Sequence, residues 1–277
     1  MIMLVGVLGP QGTYTEIAAL AMGYTEGVLH YYPAVEDIAH DLMERRLDRG
    51  VLPLENSIEG SVGSTLDVLL SLPVQIVREL IMPIRHYLVA RRDADIQVVY
   101  SHWQAIAQCN GFLRTFGREV IAVSSTSEAA RMAADNRHAA AISSLRAAQR
   151  YHLSVVQADI QDVADNFTRF IVIARRSAKR EAETGTKTSI VLELKGDRPG
   201  ALYEVLHVFA QRQLNLTKIE SRPAKRSLGE YVFYIDFEGD AADPVVVGAF
   251  DALQAHVLRL KVLGSYTAET HLTPEGQ

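Results

Sequence analysis

The sequence predicts an α/β protein followed by a smaller ferredoxin-like unit, and three observations indicate this. Short apolar strands alternate with helical segments from residue 1 to about 174, which is typical of a mainly parallel sheet. A charged stretch without large apolar side chains then covers residues 175–188 and indicates a linker. The segments after it follow the order β-α-β-β-α-β of the split βαβ fold.

In the first part, runs of apolar residues and their period place the elements in order. Strands are predicted near residues 2–8, 28–32, 50–54, 74–80, 84–90, 96–100, 119–123, 139–142 and 169–174. Helices are predicted near 13–22, 34–47, 62–71, 102–116, 126–135 and 144–151. Two of these helices begin with a capping box, Thr13 to Glu16 and Ser125 to Glu128.

After the linker, the second part reads as one complete βαββαβ unit. The predicted order is a strand at 189–194, a turn at 197–200, a helix at 201–212, strands at 216–221 and 231–238 around the loop 222–229, a helix at 244–256 and a strand at 259–263. We expect the tail from about Thr267 to Gln277 to be poorly ordered.

Composition and charge narrow the classes of function. The single cysteine, Cys109, excludes an internal disulfide framework and fits a reducing cytoplasm. The apolar start at residues 1–8 lacks a basic leading segment, so we expect a strand there and not a signal peptide. No apolar run approaches the roughly 20 residues that span a bilayer. A net charge of -5 with scattered Lys and Arg argues against a nucleic-acid surface, which leaves a soluble protein with a small ligand.

Polar side chains and glycines recur where strands give way to helices. These junctions are residues 9–13, 55–61, 101–102, 124–127 and 143–144. In open α/β sheets, ligands bind at the carboxyl ends of strands, and helix N-termini offer N–H groups and partial positive charge to anions. Helix capping alone explains each junction taken singly, whereas their joint placement predicts a site for a small dianion.

Residues 166–170, Asn-Phe-Thr-Arg-Phe, open the last strand of the first part. They combine an amide, the Thr168 hydroxyl and the Arg169 guanidinium, whose forked donors suit a planar carboxylate. A plain strand with a surface arginine is the other interpretation of this stretch.

Motifs for metals and nucleotides are missing from the sequence. It contains no zinc spacing, P-loop or dinucleotide fingerprint, and no serine lies in a G-x-S-x-G elbow, so we expect no metal and no cofactor. A Ser-His-acid triad stays open. His102, at a helix start, is a candidate base or a structural hydrogen bonder, and Cys109 is interpreted as a core thiol.

Four motifs, in order, together resemble the prephenate dehydratase family. They are GPQGTYT at 9–15, PLENSIEGSV at 53–62, SHWQAIAQC at 101–109 and NFTRF at 166–170. The second part is similar to the ACT domain attached to that enzyme and carries GAL at 200–202 and ESRP at 220–223. Two residues depart from the family pattern: Trp103 stands where a proline is expected, and Tyr203 where a small aliphatic residue is usual.

The resemblance implies two lobes similar to type II periplasmic binding proteins, closing on prephenate and expelling carbon dioxide and hydroxide to give phenylpyruvate. Residues 1–175 would be the catalytic domain, with lobe one at 1–78 and 163–175 and lobe two at 79–162. Residues 176–188 would be the linker and 189–267 the ACT domain. The resemblance also implies a cytoplasmic homodimer or homotetramer, with no nucleic-acid or membrane partner.

The resemblance also assigns residues. Thr168 would donate to the leaving oxygen, and an alcohol is a poor acid near neutral pH, so a preset hydrogen bond is expected and not a full proton transfer. Glu55 is an alternative proton source if burial raises its pKa, or it is structural. Substrate positioning would fall to Thr13, Glu55, Asn56, Ser57, Ser101, Gln108, Asn166, Arg169 and Phe170. Phenylalanine would bind between two ACT domains at Gly200, Ala201, Leu202, Asn215, Glu220, Ser221 and Arg222.

Two other functions stay open at this point. Arogenate differs from prephenate by an amino group in place of a keto group, and the sequence does not separate the two substrates. A non-catalytic sensor of small anions is the alternative from a different class. The sign and size of phenylalanine regulation are also open, and we expect no fused chorismate mutase, because the first lobe begins near residue 2.

Overall fold

The structure, a computed structural model, describes residues 3–176, 185–196, 198–224 and 230–270. The chain divides into two compact units. Residues 67–79 and 171–269 form the second unit, and the remainder of the chain forms the first.

The strands and helices have the following bounds. The strands are β1 Val5–Leu8, β2 Leu29–Tyr32, β3 Arg49–Asn56, β4 Gly60–Ser61, β5 Val74–Pro83, β6 Tyr87–Ala90, β7 Val98–His102, β8 Glu119–Val123, β9 Ala139–Ser143, β10 Ser154–Gln157, β11 Phe167–Arg175, β12 Lys187–Leu194, β13 Leu216–Pro223, β14 Tyr231–Glu238, β15 Val257–Tyr266 and β16 Ala268–Thr270. The helices are α1 Tyr14–Ala21, α2 Val35–Met43, α3 Gly63–Ser71, α4 Trp103–Gln108, α5 Asn110–Phe116, α6 Thr126–Asp135, α7 Leu145–Arg150, α8 Ala201–Gln211 and α9 Pro244–Leu253. A 3-10 turn covers Glu26–Val28.

The first unit contains two sheets, and each sheet with its helices is called a lobe. In the first lobe the strand order is β5-β11-β3-β1-β2, with β4 paired to β3, and β1 is parallel to both of its neighbours. In the second lobe the order is β10-β6-β9-β7-β8. The expected parallel pairing holds for β7 with β8 and β9. Strand β6 pairs antiparallel with β9, and β10 pairs antiparallel with β6.

Alanine dominates one side of the second lobe's core. Ala129, Ala130 and Ala133 of α6 pack with Ala139 and Ala141 of β9, and all five are fully buried. Because alanine has no side chain beyond Cβ, α6 lies close against the sheet. This packing fixes the N-terminal end of α6 beside the carboxyl ends of β7 and β9.

Several predicted bounds differ from those in the structure. The predicted helix 102–116 is two helices, separated at Cys109, whose backbone leaves the helical region at φ -120° and ψ 24°. The two strands predicted at 74–80 and 84–90 are β5 and β6, with the break at 84–86. Strands β4, β10 and β16 carry little local signal and were not predicted.

The ends of the linker and the tail also differ from expectation. Within the linker and tail, Lys187 already belongs to β12, and Ala268–Thr270 forms β16 and pairs with β5, although we expected disorder from Thr267. The predicted disorder of 271–277, the centre of the linker and loop residues 225–229 lie outside the described residues.

The second unit contains an antiparallel sheet of order β13-β14-β12-β15, with α8 and α9 on one face. Its core joins Ile190 and Leu192 of β12 to Val205 and Phe209 of α8 and Phe237 of β14. Apolar residues at alternating strand positions and at helical spacing produce this face. The predicted βαββαβ order is confirmed.

Within the second unit, Lys261 of β15 reaches the last turn of α3. Its Nζ donates to the carbonyl oxygens of Leu69 at 2.7 Å, Leu70 at 3.2 Å and Leu72 at 2.7 Å. The last carbonyls of a helix lack intrahelical partners, so a lysine there satisfies them and complements the helix dipole.

We expect Lys261→Met to lower the free energy of unfolding by about 2 kcal/mol, because it leaves several carbonyl groups without a charged donor. Chemical denaturation of the full chain measures this. Lys195→Met, at an exposed lysine, is the matched control and should change stability by less than about 0.5 kcal/mol. Equal stability of the two variants would contradict the capping role.

Candidate active site

The chain passes between the two lobes of the first unit twice, at residues 84–86 and at residues 158–166. The two crossings bond to each other, since Ile84 N–H donates to the Asn166 carbonyl at 2.8 Å and Ile160 N–H to the His86 carbonyl at 3.0 Å. His86 N–H also donates to Gln161 Oε1 at 3.0 Å. A cleft of about 630 Å³ lies beside these crossings and is lined by residues of both lobes.

One wall of the cleft is the junction between β1 and α1. Thr13 caps α1 by accepting from Glu16 N–H at 3.4 Å and donates its hydroxyl to the Leu8 carbonyl at 2.8 Å. The predicted N-cap is confirmed, but the Glu16 carboxylate accepts from Gly12 N–H at 2.6 Å, so it does not complete a capping box with Thr13.

Second-lobe hydroxyls hold this junction in place. Ser144 Oγ donates to the Gly12 carbonyl at 2.8 Å, and Ser127 Oγ donates to the Gln11 carbonyl. Gly12 has φ of 90°, and a Cβ there would lie 2.9 Å from Ser127 Oγ, so the close contact between the lobes requires glycine. The wall of the cleft is therefore preset by contacts across the two lobes.

Helix starts from the second lobe form the opposite wall. Ser125 caps α6 by accepting from Glu128 N–H at 3.0 Å, which confirms the predicted N-cap, whereas the Glu128 carboxylate accepts from Arg131. Ser124, Ser125 and Thr126 line the cleft. His102 and Trp103 line it at the start of α4, and the Trp103 side chain is 58% exposed. Burial lowers the pKa of His102, so its imidazole is neutral near pH 7.

The floor of the cleft is organised by Asn56, at the end of β3. Asn56 Nδ2 lies 2.7 Å from Asn166 Oδ1, 2.9 Å from Thr168 Oγ1 and 3.1 Å from the Phe167 carbonyl oxygen. Because the Thr168 oxygen accepts from Asn56, its own hydrogen is left to donate into the cleft. Thr168 is 8% exposed and lines the cleft.

The hydrogen bonds continue from Asn166 towards the first crossing. Asn166 Nδ2 donates to Gln108 Oε1 at 2.9 Å, and His86 Nε2 lies 2.9 Å from the same oxygen. Burial lowers the pKa of His86 and keeps its imidazole neutral. These groups therefore form an uncharged polar network under the cleft.

Arg169 lies on the other face of its strand. Successive strand residues point to opposite faces, and Thr168 and Phe170 line the cleft, so Arg169 points away from them. Its guanidinium is buried, with Nη1 3.8 Å from Glu55 Oε2. The two side chains therefore form an ion pair behind the cleft floor.

Two predicted serines bond to the backbone and do not line the cleft. Ser57 Oγ accepts from Phe167 N–H at 3.0 Å, and the fully buried Ser101 donates its hydroxyl to the Ile142 carbonyl at 2.8 Å. Of the predicted substrate residues, the structure places Thr13, Asn56, Gln108, Thr168 and Phe170 on the cleft lining, whereas Glu55, Ser57, Ser101, Asn166 and Arg169 do not belong to that lining.

His86 and Tyr14 line the cleft and were not singled out from the sequence. Tyr14 belongs to the GPQGTYT motif, whereas the only signal for His86 is that the polar pair Arg85-His86 interrupts two apolar runs. Its position at a crossing between lobes is not readable from that pattern.

The residues predicted to bind an effector lie in the second unit. Gly200 has φ of 87° and precedes α8, which begins with Ala201 and Leu202, and Asn215 precedes β13. The remaining three, Glu220, Ser221 and Arg222, lie in β13, an edge strand of the sheet. Tyr203 is 66% exposed and stacks on His207 with ring centroids 5.6 Å apart.

Two further properties hold for the described part of the chain. Its His, Cys, Asp and Glu side chains include no group of three or more that could hold a metal ion. Its helices include none long and apolar enough to cross a membrane.

Comparisons with known proteins match these features over nearly the whole chain. The prephenate dehydratase family model matches residues 5–178, and the ACT domain model matches residues 188–254. The prephenate dehydratase of Methanocaldococcus jannaschii is 39% identical over 93% of this chain and 95% of its own length. Arogenate dehydratase/prephenate dehydratase 2 of Arabidopsis thaliana, a chloroplastic protein, is 42% identical over 95% of this chain and 72% of its own length.

A solved structure agrees with the sequence matches. The prephenate dehydratase of Arthrobacter aurescens in complex with L-Phe has a TM-score of 0.84 and 36% identity, covering 95% of this chain and 90% of that one. The predicted fold class, a two-lobed domain similar to type II periplasmic binding proteins with a ferredoxin-like ACT domain, is confirmed. With both family models matched in the expected order, the chain belongs to the prephenate dehydratase family.

Proposed function

We propose that the cleft of the first unit performs the reaction of the family, the decarboxylating dehydration of prephenate to phenylpyruvate in phenylalanine biosynthesis. The observation that carries this is the Thr168 hydroxyl, which accepts from Asn56 Nδ2 at 2.9 Å and keeps its hydrogen for a substrate oxygen. In the reaction, the bond from the ring to one carboxylate breaks, its electron pair aromatises the ring, and hydroxide leaves from the opposite carbon. A proton converts that hydroxide to water.

A donor preset at the departing oxygen stabilises the transition state more than the ground state, because negative charge develops there as the bond breaks. Thr168 suits this position because its hydroxyl is held by Asn56 and lies in a mostly enclosed floor. We assign Thr168 as this donor. Glu55 is paired with Arg169 behind the floor, which supports a structural role for Glu55 over that of the proton source.

The carboxylate that leaves as carbon dioxide is better bound by uncharged donors than by a cation. Among the described residues that line the cleft there is no arginine or lysine. A cation bound tightly to that carboxylate would stabilise the charge that the reaction must remove, and so would raise the barrier. Gln108 and the start of α6 offer side-chain amide and backbone N–H donors, which bind a carboxylate without a full opposite charge.

We further propose that phenylalanine regulates the enzyme by binding to the ACT domain between two copies of the chain. The relative from Arthrobacter aurescens was solved with L-Phe, and the start of α8 after Gly200 offers backbone N–H groups such as that of Leu202 to a carboxylate. Regulation requires phenylalanine to bind one arrangement of the lobes better than the other. The homodimer or homotetramer, the cytoplasmic location, and the lobe boundaries at 78/79 and 162/163 stay predictions from the sequence.

Arogenate is the second candidate substrate, because a relative 42% identical to this chain carries both activities in its name. The chemistry at the ring is the same for both compounds. The choice depends on the group beside the side-chain carboxylate, which is a keto group in prephenate and an ammonium group in arogenate.

The test is product formation by the purified chain from prephenate and from arogenate, each with and without phenylalanine. We expect turnover of prephenate that falls when phenylalanine is added. Preference for arogenate would change the substrate and keep the chemistry. If folded protein bound phenylalanine but consumed neither compound, the enzymatic function would be refuted in favour of a sensor.

A further inference from the structure

The side-chain amides under the cleft have a direction that the backbone fixes. Asn56 Oδ1 accepts from two backbone donors, Ile58 N–H at 3.0 Å and Glu59 N–H at 3.1 Å. Its Nδ2 faces the Phe167 carbonyl oxygen, which can only accept. Three backbone groups therefore leave one orientation for the Asn56 amide, with the oxygen towards 58–59 and the nitrogen towards β11.

That orientation determines the next two amides. The atom of Asn166 that faces Asn56 Nδ2 at 2.7 Å must be an acceptor, so it is Oδ1, and Asn166 Nδ2 must face Gln108. Gln108 then presents Oε1, because a nitrogen there would place two donors against each other. Each side-chain amide has one oxygen and one nitrogen, so the orientation of Asn56 fixes the orientation of Asn166, and Asn166 fixes that of Gln108.

The row ends on His86, whose Nε2 lies 2.9 Å from Gln108 Oε1. Since that oxygen only accepts, Nε2 must carry the hydrogen. On the other side of the ring, Nδ1 lies 3.5 Å from the Tyr14 hydroxyl, which donates to the Arg85 carbonyl. His86 is buried, and its lowered pKa agrees with a neutral ring that carries its hydrogen on Nε2 alone.

The remaining polar atom of Gln108 is its side-chain Nε2. Gln108 lines the cleft, and both donors to its oxygen, His86 and Asn166, come from the crossings between the lobes. With Oε1 held from two sides, the NH₂ group is the part of the amide that is available to a ligand. Rotation of this amide by half a turn would instead present an oxygen to a dianionic substrate.

We propose that His86 is a positioning residue of the dehydratase: its neutral Nε2–H form holds Gln108 so that the amide NH₂ donates to a carboxylate of the bound substrate. The substrate contact rests on the function proposed above. The hydrogen on Nε2 and the orientation of the amides rest on the hydrogen bonds, and the neutral charge of the ring rests on its burial. A contact to a carboxylate that persists from the ground state to the transition state acts mainly on KM.

Variants of His86 with and without an N–H donor to Gln108 test its positioning role. We expect His86→Leu to raise KM for prephenate about tenfold or more with kcat changed less than threefold, the scale of one hydrogen bond to a charged group. His86→Gln places an amide N–H near the same position and should restore KM to within about threefold of wild type. His30→Leu, at an exposed histidine of β2, is the matched control and should leave KM unchanged.

A double-mutant cycle separates positioning from general support of the fold. In a Gln108→Ala background, His86→Leu should change KM by less than about twofold, because the amide that His86 orients is gone. If the effects of the two substitutions on KM multiply, the positioning role is overturned. A His86→Gln variant as impaired as His86→Leu would overturn it as well.

Imidazole ¹⁵N spectra of the wild-type chain decide the tautomer without any activity measurement, and the signal of His86 is identified by its loss in His86→Gln. We expect a protonated Nε2 and an unprotonated Nδ1. A hydrogen on Nδ1 alone would overturn the inference even if all the variants folded poorly. A chain inactive on both substrates that still shows Nε2–H would refute the proposed function and the substrate contact, while leaving the amide orientation in place.

Discussion

Thr168→Ala is expected to lower the turnover of prephenate by about a hundredfold or more with the fold intact. This is the scale measured when an enzyme loses one oriented donor to a developing negative charge. The substitution removes the hydroxyl that Asn56 holds and leaves the departing oxygen without its protein donor. Steady-state formation of phenylpyruvate measures the effect, which should appear in kcat and only weakly in KM.

Thr168→Ser and Thr168→Val are the controls for this prediction. Serine keeps the hydroxyl and should retain most of the turnover, whereas valine keeps the shape of threonine without the donor and should behave like alanine. Because Thr168 is largely buried, thermal unfolding of each variant must accompany the kinetics. Near-normal turnover of Thr168→Val would remove Thr168 from the mechanism.

Asn56→Asp is expected to lower turnover by about 10²- to 10³-fold, although it replaces a single atom by one of similar size. The new carboxylate still accepts from Ile58 and Glu59 N–H, so the loop after β3 keeps its anchor. The other oxygen, however, now faces acceptors at Asn166 and Phe167. The Thr168 hydroxyl would turn to donate to this carboxylate and would no longer serve the substrate.

An exposed asparagine supplies the control for Asn56→Asp. Asn110→Asp adds the same charge at the start of α5, and it should leave turnover within about twofold of wild type. Activity of Asn56→Asp within tenfold of wild type would show that the direction of the Asn56 amide does not control the donor. The combined variant Asn56→Asp/Thr168→Val should be no worse than either single variant if both act through one hydroxyl.

The strand-to-helix junctions were predictable because two local rules agree. Capping residues at Thr13 and Ser125 mark helix starts, and the carboxyl ends of parallel strands meet at one edge of a sheet. The sequence did not show which side chains of a motif face the ligand. In NFTRF, strand alternation places Thr168 and Phe170 on the cleft and Arg169 behind it, and this depends on which face of β11 is covered.

Long-range contacts account for most of what the sequence did not predict. Strand β16 forms by pairing with β5, nearly 200 positions earlier in the chain, so its own residues carry little signal. Lys261 likewise binds the end of α3 across a similar separation. His86 is the functional example: its local sequence pattern is ordinary, and it gains its role from the contact with Gln108, which in turn bonds to Asn166 on the second crossing.

The bonded pair of crossings has a consequence for motion. If the lobes rotate on closure, the rotation axis passes near the segments that join them, and an atom's displacement grows with its distance from that axis. His86 and Asn166 lie on those segments, and Thr168 follows directly, so these groups should scarcely move. The donor for the leaving oxygen would then already be in place before the substrate arrives.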